Sequence, residues 1–412
     1  MNTTAVAPDC QVAAWHCTAP LAPETRREIR RHLELACCKW DAQVGDTDTL
    51  APFALVLPRA QHAALAHAAE HLAAELLAAE TELLARPELW LALGLPARVR
   101  RVFEGAEPWT PTAARVIRFD FHPTDDGWRI SEANGDVPGG YIEASDFTDL
   151  LAAQSPGTKS TGDPTAALVA ALGGPAGAPR RIALLAAAGY GSDQQVAAHL
   201  GAALRRRGVE PILTRPESLR WEGGLARVAR PHREIPVDAI FRFYQGEWMI
   251  RQRRDDWHRL FRGGRTPVCN PAAAVLTESK RLPLLWPRLD TAMPTWREFL
   301  PHTSAANALW PGSHRGRVLK AAYGNTGESV FSPGWSRPRE WLAARAAAAL
   351  RPGRWIAQAR FRTQRVATPL GAMHPCLGVF TVNGRAVGTY GRLSAGPLID
   401  FAAIDVAVLV AS

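Results

Sequence analysis

A strand–helix–strand pattern in the middle of the chain sets the fold class. RIALLAAAG (181–189) is a largely apolar run ending in glycine, a helix is expected from Gln194 to Arg207, Gly208 ends it, and VEPILT follows. Two strands joined by a crossover helix pair in parallel, because a hairpin cannot return the chain in the same direction. VDAIFRFY (237–244) supplies a further strand. Gly189-Tyr190-Gly191 lacks the third glycine of a dinucleotide loop and is read as a strand-to-helix turn.

The flanks differ. Residues 24 to about 100 read as mostly helical, with Leu65, Leu72, Leu76, Ala79 and Leu83 on one face. Glycines and prolines crowd residues 155–180, the composition of a linker interrupted by one short helix. From 315 onward strands dominate: RVLKAAY, RWIAQARF, PCLGVFTVNG and RAVGTYGRL, with a helix over 341–350. Asn383-Gly384 marks a tight hairpin. The class is therefore α/β (α+β) with mixed sheets. The expected division is a helical region over 1–110, a hairpin and linker over 111–175, an α/β domain over 176–270 and a strand-rich region over 271–412.

Composition excludes several function classes. No run of 18 apolar residues is present, so no membrane span is expected. The start, MNTTAVAPDC, lacks the basic and apolar segments of a signal peptide, and a cytoplasmic location is expected. The six cysteines form no C-x-x-C pair and fit no zinc spacing, so they read as reduced thiols. Net charge is +9, but the arginines are spread along the chain rather than clustered, which favours an enzyme handling anions over a nucleic-acid binder. Only Lys39, Lys159, Lys280 and Lys320 are lysines among 48 basic residues, so a lysine here can mark a place that needs a compact point charge.

The segment VIRFDFHPTDDGWRISEANGDVPGG (116–140) carries the chemistry. Its first strand puts Arg118 and Asp120 on one face and Phe119 and Phe121 on the other. A three-residue loop, Asp125-Asp126-Gly127, would set Asp120 opposite Glu132 and Arg118 opposite Asn134 unless a bulge shifts the register. Facing carboxylates repel, and a cation between them would relieve this. Asp120, Glu132 and Asn134 are hard oxygen ligands suited to Mg2+. The alternative reading of these four residues alone is a wet hairpin face that Arg118 neutralises. Lys320 lies on a strand before a loop containing Gly324 and Gly327, a pattern that lets backbone N–H groups and a point charge meet phosphates.

Taken together, these elements resemble the glutathionylspermidine synthase-like, circularly permuted branch of the ATP-grasp superfamily. The resemblance rests on Arg118-Phe119-Asp120 followed by Glu132-Ala133-Asn134, on Lys280 before LPLLW, on Lys320 before the glycine loop, on Gln358-Ala359 and on Gly388 to Arg392. FYQGEW (243–248) matches another family segment. The chain departs from the family at Asn325, where an arginine is usual, and at Ala359, where the hinge carries glutamate. The resemblance implies an ATP-grasp fold, with the α/β domain as the pre-ATP-grasp domain and residues 271–412 as the ATP-binding region. Metal ligands early in the chain and ATP lysines late are the permuted order.

It further implies an ATP- and Mg2+-dependent ligase joining a small carboxylate, peptide-like acids included, to an amine through an acyl-phosphate, without nucleic acid or membrane. Lys280, Lys320, Gly324, Gly327 and Gln358 would hold ATP. Asp120, Glu132 and Asn134 would hold Mg2+, and Arg118 and Arg392 would stabilise the transferring phosphoryl group. A phosphotransferase acting on a small molecule and a non-catalytic nucleotide-binding protein are the rival readings.

Overall fold

In a computed structural model the strand–helix–strand unit forms at Arg181–Ala186, Gly191–Arg206 and Glu210–Thr214. The model describes residues 12–44, 47–103, 114–174, 180–251, 255–262, 264–306, 316–324 and 329–412. The two strands pair in parallel, and Ala239–Phe243 and Val268–Cys269 extend the sheet, also in parallel, to four strands. Ala183, Leu184 and Leu185 are fully buried, as expected of a parallel strand covered on both faces.

A nine-stranded sheet forms the body of the molecule. Its main path runs His16–Cys17, Leu50–Leu57, Ile404–Ala411, Arg385–Ser394, Gly371–Val382, Val116–Thr124 and Gly127–Asn134. The early hairpin thus sits beside the last strands of the chain, the spatial arrangement of a permuted order. Val382 and Arg385 close the expected hairpin, with Asn383 and Gly384 both at positive φ (49° and 80°).

The helix Arg59–Ala85 packs on this sheet. Leu65, Leu72, Leu76, Ala79 and Leu83 are all buried along it. Each such leucine stabilises the layer by roughly 1.5–3 kcal/mol relative to an exposed one. The region read as helical also contributes Leu50–Leu57 to the large sheet, which the helical reading missed. LAPFALVL is a continuous apolar run, and a strand buried on both faces has no alternation to betray it. The linker reading is corrected similarly. The short helix is present at Pro164–Gly173, but Thr158–Ser160 pairs with Ile404–Ala411.

A third, smaller sheet takes the order Thr303–Ala305, Trp355–Ala359, Arg317–Ala321, Val330–Phe331, all antiparallel. The helix Pro338–Leu350 covers it. Arg281 ties one end of this sheet to the helical layer by donating to the carbonyls of Ala92 (2.7 Å), Pro352 (2.9 Å) and Trp355 (2.8 Å). Gly94 stands at that junction with φ +76°, and a Cβ there would lie 2.5 Å from the Gly353 carbonyl oxygen. Only glycine meets both requirements.

Candidate active site

The hairpin forms between Val116–Thr124 and Gly127–Asn134, but its register is not uniform. Thr124 pairs with Gly127, so Asp125 and Asp126 alone make the turn, while Gly127 keeps the positive φ (90°) expected of it. A bulge between Phe119 and Phe121 then absorbs one residue, and Arg118 faces Asn134 as expected. Asp120 therefore does not sit squarely opposite Glu132. Each carboxylate has its own internal cation instead. Arg118 grips Asp120 with two bonds, Nε to Oδ1 at 2.7 Å and Nη2 to Oδ2 at 2.9 Å. Lys280 lies 3.3 Å from Glu132. The repulsion that a cation was expected to relieve is relieved in this state by the protein's own side chains.

Packing fixes the Arg118–Asp120 pair. Gly378 on the adjacent strand pairs with Asp120, and a Cβ there would meet Arg118 Cδ at 2.7 Å. Arg118 also donates to the Gly139 carbonyl (2.6 Å) and lies over the Tyr390 ring at 5.2 Å. Burial alone would lower the Arg118 pKa, but Asp120 outweighs it and the guanidinium is held more firmly protonated. Asn134 donates Nδ2 to Asp120 (3.1 Å), which leaves its amide oxygen as the atom to meet a cation.

The end of the hairpin is clamped by the segment that delivers Lys280. Asn270 donates to the carbonyls of Val116, Gly135 and Asp136, and Glu278 accepts from the N–H groups of Gly135 (2.7 Å) and Asp136 (3.1 Å). Arg242, fully buried, pairs with Asp136. Two residues beyond Glu278, Lys280 donates to the Gly324 carbonyl at 2.8 Å, and its backbone N–H bonds Ala322 at 2.9 Å. Lys320 comes from the small sheet and donates to the Ser131 carbonyl at 3.1 Å. Gln358 neighbours Val318 on the same sheet and donates to Thr303 at 3.0 Å.

Electrostatics divide the two lysines. Burial would lower the Lys280 pKa, but Glu132 and Glu278 more than compensate and raise it. For Lys320 burial wins: it depresses the pKa to about 8, with Glu132 opposing only in part and Lys280 adding to the depression. Glu132 is held low by Lys280, Lys320 and Arg118 against the effect of burial. Glu278 is pushed up to about 8 by burial. Two ammonium groups around one carboxylate leave an excess of positive charge suited to a phosphate chain.

Arg118, Asp120, Glu132, Asn134, Lys320, Gly324, Gln358 and Arg392 all line one cavity of ≈ 470 Å³, and Lys280 borders it through Glu132 and Gly324. Gly327 and Asn325 lie outside the described residues. Ala359, at the hinge position, lines the same cavity and donates its N–H to the His302 carbonyl at 2.8 Å. Among the described residues no group of three or more His, Cys, Asp or Glu side chains is assembled for a metal ion. The oxygen donors here are two carboxylates and an amide. Such a set fits Mg2+, which keeps waters and binds through one or two carboxylates plus substrate phosphates.

Sequence reasoning did not assign the far end of this cavity. There Lys39 is buried among Glu143, Asp41 (2.8 Å) and Asp405 (3.2 Å). Burial would lower the Lys39 pKa, but Glu143, Asp405 and Asp41 raise it well above normal. Tyr390 donates to Asp405 at 2.7 Å, and Arg392 reaches the carbonyls of Asp400 (2.7 Å) and Ala403. The scarcity of lysine is the one sequence signal that bears on this place: Lys39, Lys280 and Lys320 are all at or beside the cavity, and Lys159 is on the surface.

The chain is similar to proteins of known structure. A solved structure of a glutathione synthetase like-effector from Globodera pallida, in apo form, superposes with a TM-score of 0.61 at 13% identity, covering 94% of this chain and 97% of that one. At that identity the likeness speaks for the fold. A putative gamma-glutamylcysteine synthetase from Methylobacillus flagellatus superposes with a TM-score of 0.43 at 14% identity, covering 78% of this chain and 82% of that one. The search of curated proteins gives no match. No helix among the described residues is long and apolar enough to cross a membrane. The fold is that of the ATP-grasp synthetases, and a match over residues 21–410 makes the chain a member of the glutathionylspermidine synthase preATP-grasp family.

Proposed function

We propose that this chain is an ATP- and Mg2+-dependent ligase that joins a small carboxylate to an amine through an acyl-phosphate. One observation carries the reading: Lys280 and Lys320, delivered by separate segments, converge on Glu132 beside the Arg118–Asp120–Asn134 set. Lys280 and Lys320 would take the phosphates of ATP, and Gln358 would lie toward the base. Asp120, Glu132 and the Asn134 amide oxygen would hold Mg2+, which would neutralise charge developing on the phosphates of ATP.

The substrate carboxylate then attacks the γ-phosphorus, and the bond to the β-phosphate oxygen breaks to release ADP. The amine attacks the acyl carbon, loses a proton, and inorganic phosphate leaves. Arg118 and Arg392, on the same face of the large sheet, would stabilise the charge on the transferring group. Arg118 must loosen one of its two bonds to Asp120 when that carboxylate takes a metal.

The test is ADP release from Mg-ATP against panels of small acids and amines. Release that requires both partners supports ligation, and a phosphorylated product formed without amine supports phosphotransfer instead. Glu132→Gln and Asp120→Asn are expected to lower turnover by at least about 10³-fold in protein that circular dichroism shows to be folded, although each leaves a buried cation without its full partner. Full activity in both variants would remove the metal assignment.

A further inference from the structure

A second cavity, also of ≈ 470 Å³, opens where the parallel strands Arg181–Ala186 and Glu210–Thr214 end. Open α/β sheets hold ligands in the crevice outside the carboxyl ends of their strands. The apolar wall here is Leu184, Ala186 and Ala197, all buried, with Leu213 (42% exposed) and Trp40 (54% exposed) nearer the solvent. The helix Gly191–Arg206 gives Gln194 and Ala197 to this cavity, and Ser192, Asp193, Gln195 and Val196 to the one that holds Lys320. Different residues of one helix thus line two separate sites.

The polar part of the lining carries one sign of charge. Gln194, Thr214, Arg215, Ser218 and Arg230 supply it, and among the described residues no aspartate or glutamate joins them. Nearby Arg181 and Arg227 pair with Glu210 and Glu222, but among the described residues neither Arg215 nor Arg230 has a carboxylate partner. Arg230 spends one N–H on the Leu213 carbonyl (2.8 Å) and stands opposite Arg233 across its strand pair. Like charges set opposite each other in a sheet repel. Thr214 is buried, yet its hydroxyl has no hydrogen-bond partner, which is costly. Unanswered positive charge and an orphaned hydroxyl, beside a tryptophan ring and an apolar wall, complement an anion with a flat apolar body.

We propose that this crevice binds a small aromatic carboxylate, its anionic end between Arg215 and Arg230 and its ring against Trp40 and Leu213. A guanidinium fork matches a carboxylate, and the ring removes apolar surface of Trp40 and Leu213 from water. The Trp40 wall is held for this: its backbone N–H donates to the Gln195 side chain (3.0 Å), which in turn donates to Asp41 (3.0 Å). None of the residues assigned to ATP, Mg2+ or phosphoryl transfer takes part, so the site does not depend on the ligase reading.

The probes are phenylacetate, acetate, which lacks the ring, and 2-phenylethylamine, which reverses the charge. Each is titrated calorimetrically into the full chain. Phenylacetate is expected to bind at least about tenfold more tightly than either of the others. Arg215→Gln, Arg230→Gln, Thr214→Val and Trp40→Ala should each weaken it by at least about threefold. Arg392→Gln, in the other cavity, should leave it unchanged. No binding heat from phenylacetate at about 10 mM, or an amine that binds as tightly, would overturn the proposal. So would wild-type affinity in the four crevice variants together with loss of binding in Arg392→Gln, which would place the carboxylate in the other cavity.

Discussion

The large and small sheets meet at the cavity with different construction. Behind Arg118 and Asp120 the large sheet packs Phe119, Phe121, Trp128 and Ile130 into the main core, all buried. The small sheet, which carries Lys320 and Gln358, rests on Ala306, Leu319, Trp341, Ala344, Ala348 and Ala357. Four of those six are alanine, so it buries little apolar area per residue and gains correspondingly little stability. The first surface holds its polar groups in a fixed pair, whereas the second is packed loosely enough to move. The large-sheet face of the cavity is preorganised by packing, and the small-sheet face is held chiefly at its Arg281 end.

The most severe way to break this comparison is native-state hydrogen exchange. Amides of Arg317–Ala321 and Trp355–Ala359 should exchange at least about 100-fold faster than those of Gly371–Val382, because thinly packed units open at lower free energy. Equal protection in both sheets would show that the small sheet unfolds only with the whole molecule. Mg-ATP should narrow the gap, since a ligand that binds only the closed form stabilises it.

The next effect concerns Lys320. Its folded pKa of about 8 lies below the ordinary lysine value, so between pH 8 and about 10.5 the unfolded chain binds a proton that the folded chain does not. Stability from this group is therefore lowest below pH 8 and rises as pH climbs through that window. Lys320→Met should stabilise the protein by about 1–3 kcal/mol at pH 7 and flatten that rise, while weakening ATP binding. Lys280→Met should do the opposite to stability, because it leaves Glu132 without its nearest partner. Denaturant melts of both variants at pH 7 and pH 9.5 separate the two cases. Destabilisation by Lys320→Met would mean that its charge serves the fold rather than a ligand.

Much of the site was legible because its residues are close in sequence or chemically unusual. Arg118, Asp120, Glu132 and Asn134 share one hairpin, and strand alternation alone puts them on one side. Lysine scarcity marked Lys280 and Lys320 and would have marked Lys39 had it been pressed. The bulge at Asp120 was not legible, since register there answers to Gly378 on a strand some 260 residues away. Nor was the Lys39 cluster, whose partners Glu143 and Asp405 lie 104 and 366 residues along the chain. Leu50–Leu57 was lost for a third reason: a strand buried on both faces and a helix core present the same apolar run.

The smallest stability effect isolates the fixed half of the comparison. Gly378 carries no side chain because Arg118 and Asp120 occupy that space, and in Gly378→Ala the new Cβ would lie 2.7 Å from Arg118 Cδ and 3.0 Å from Asp120 Oδ1. Arg118 is long and can give, so the cost to stability should be only about 1 kcal/mol. The geometry of the Arg118–Asp120 pair cannot survive that shift. If its fixed placement serves phosphoryl transfer, acid- and amine-dependent ADP release should fall about 10- to 100-fold with little change in the KM for ATP, whose proposed contacts are Lys280 and Lys320. If instead turnover is unchanged, the pair is only a means of burying two charges, and the large sheet owes its rigidity to its apolar core alone.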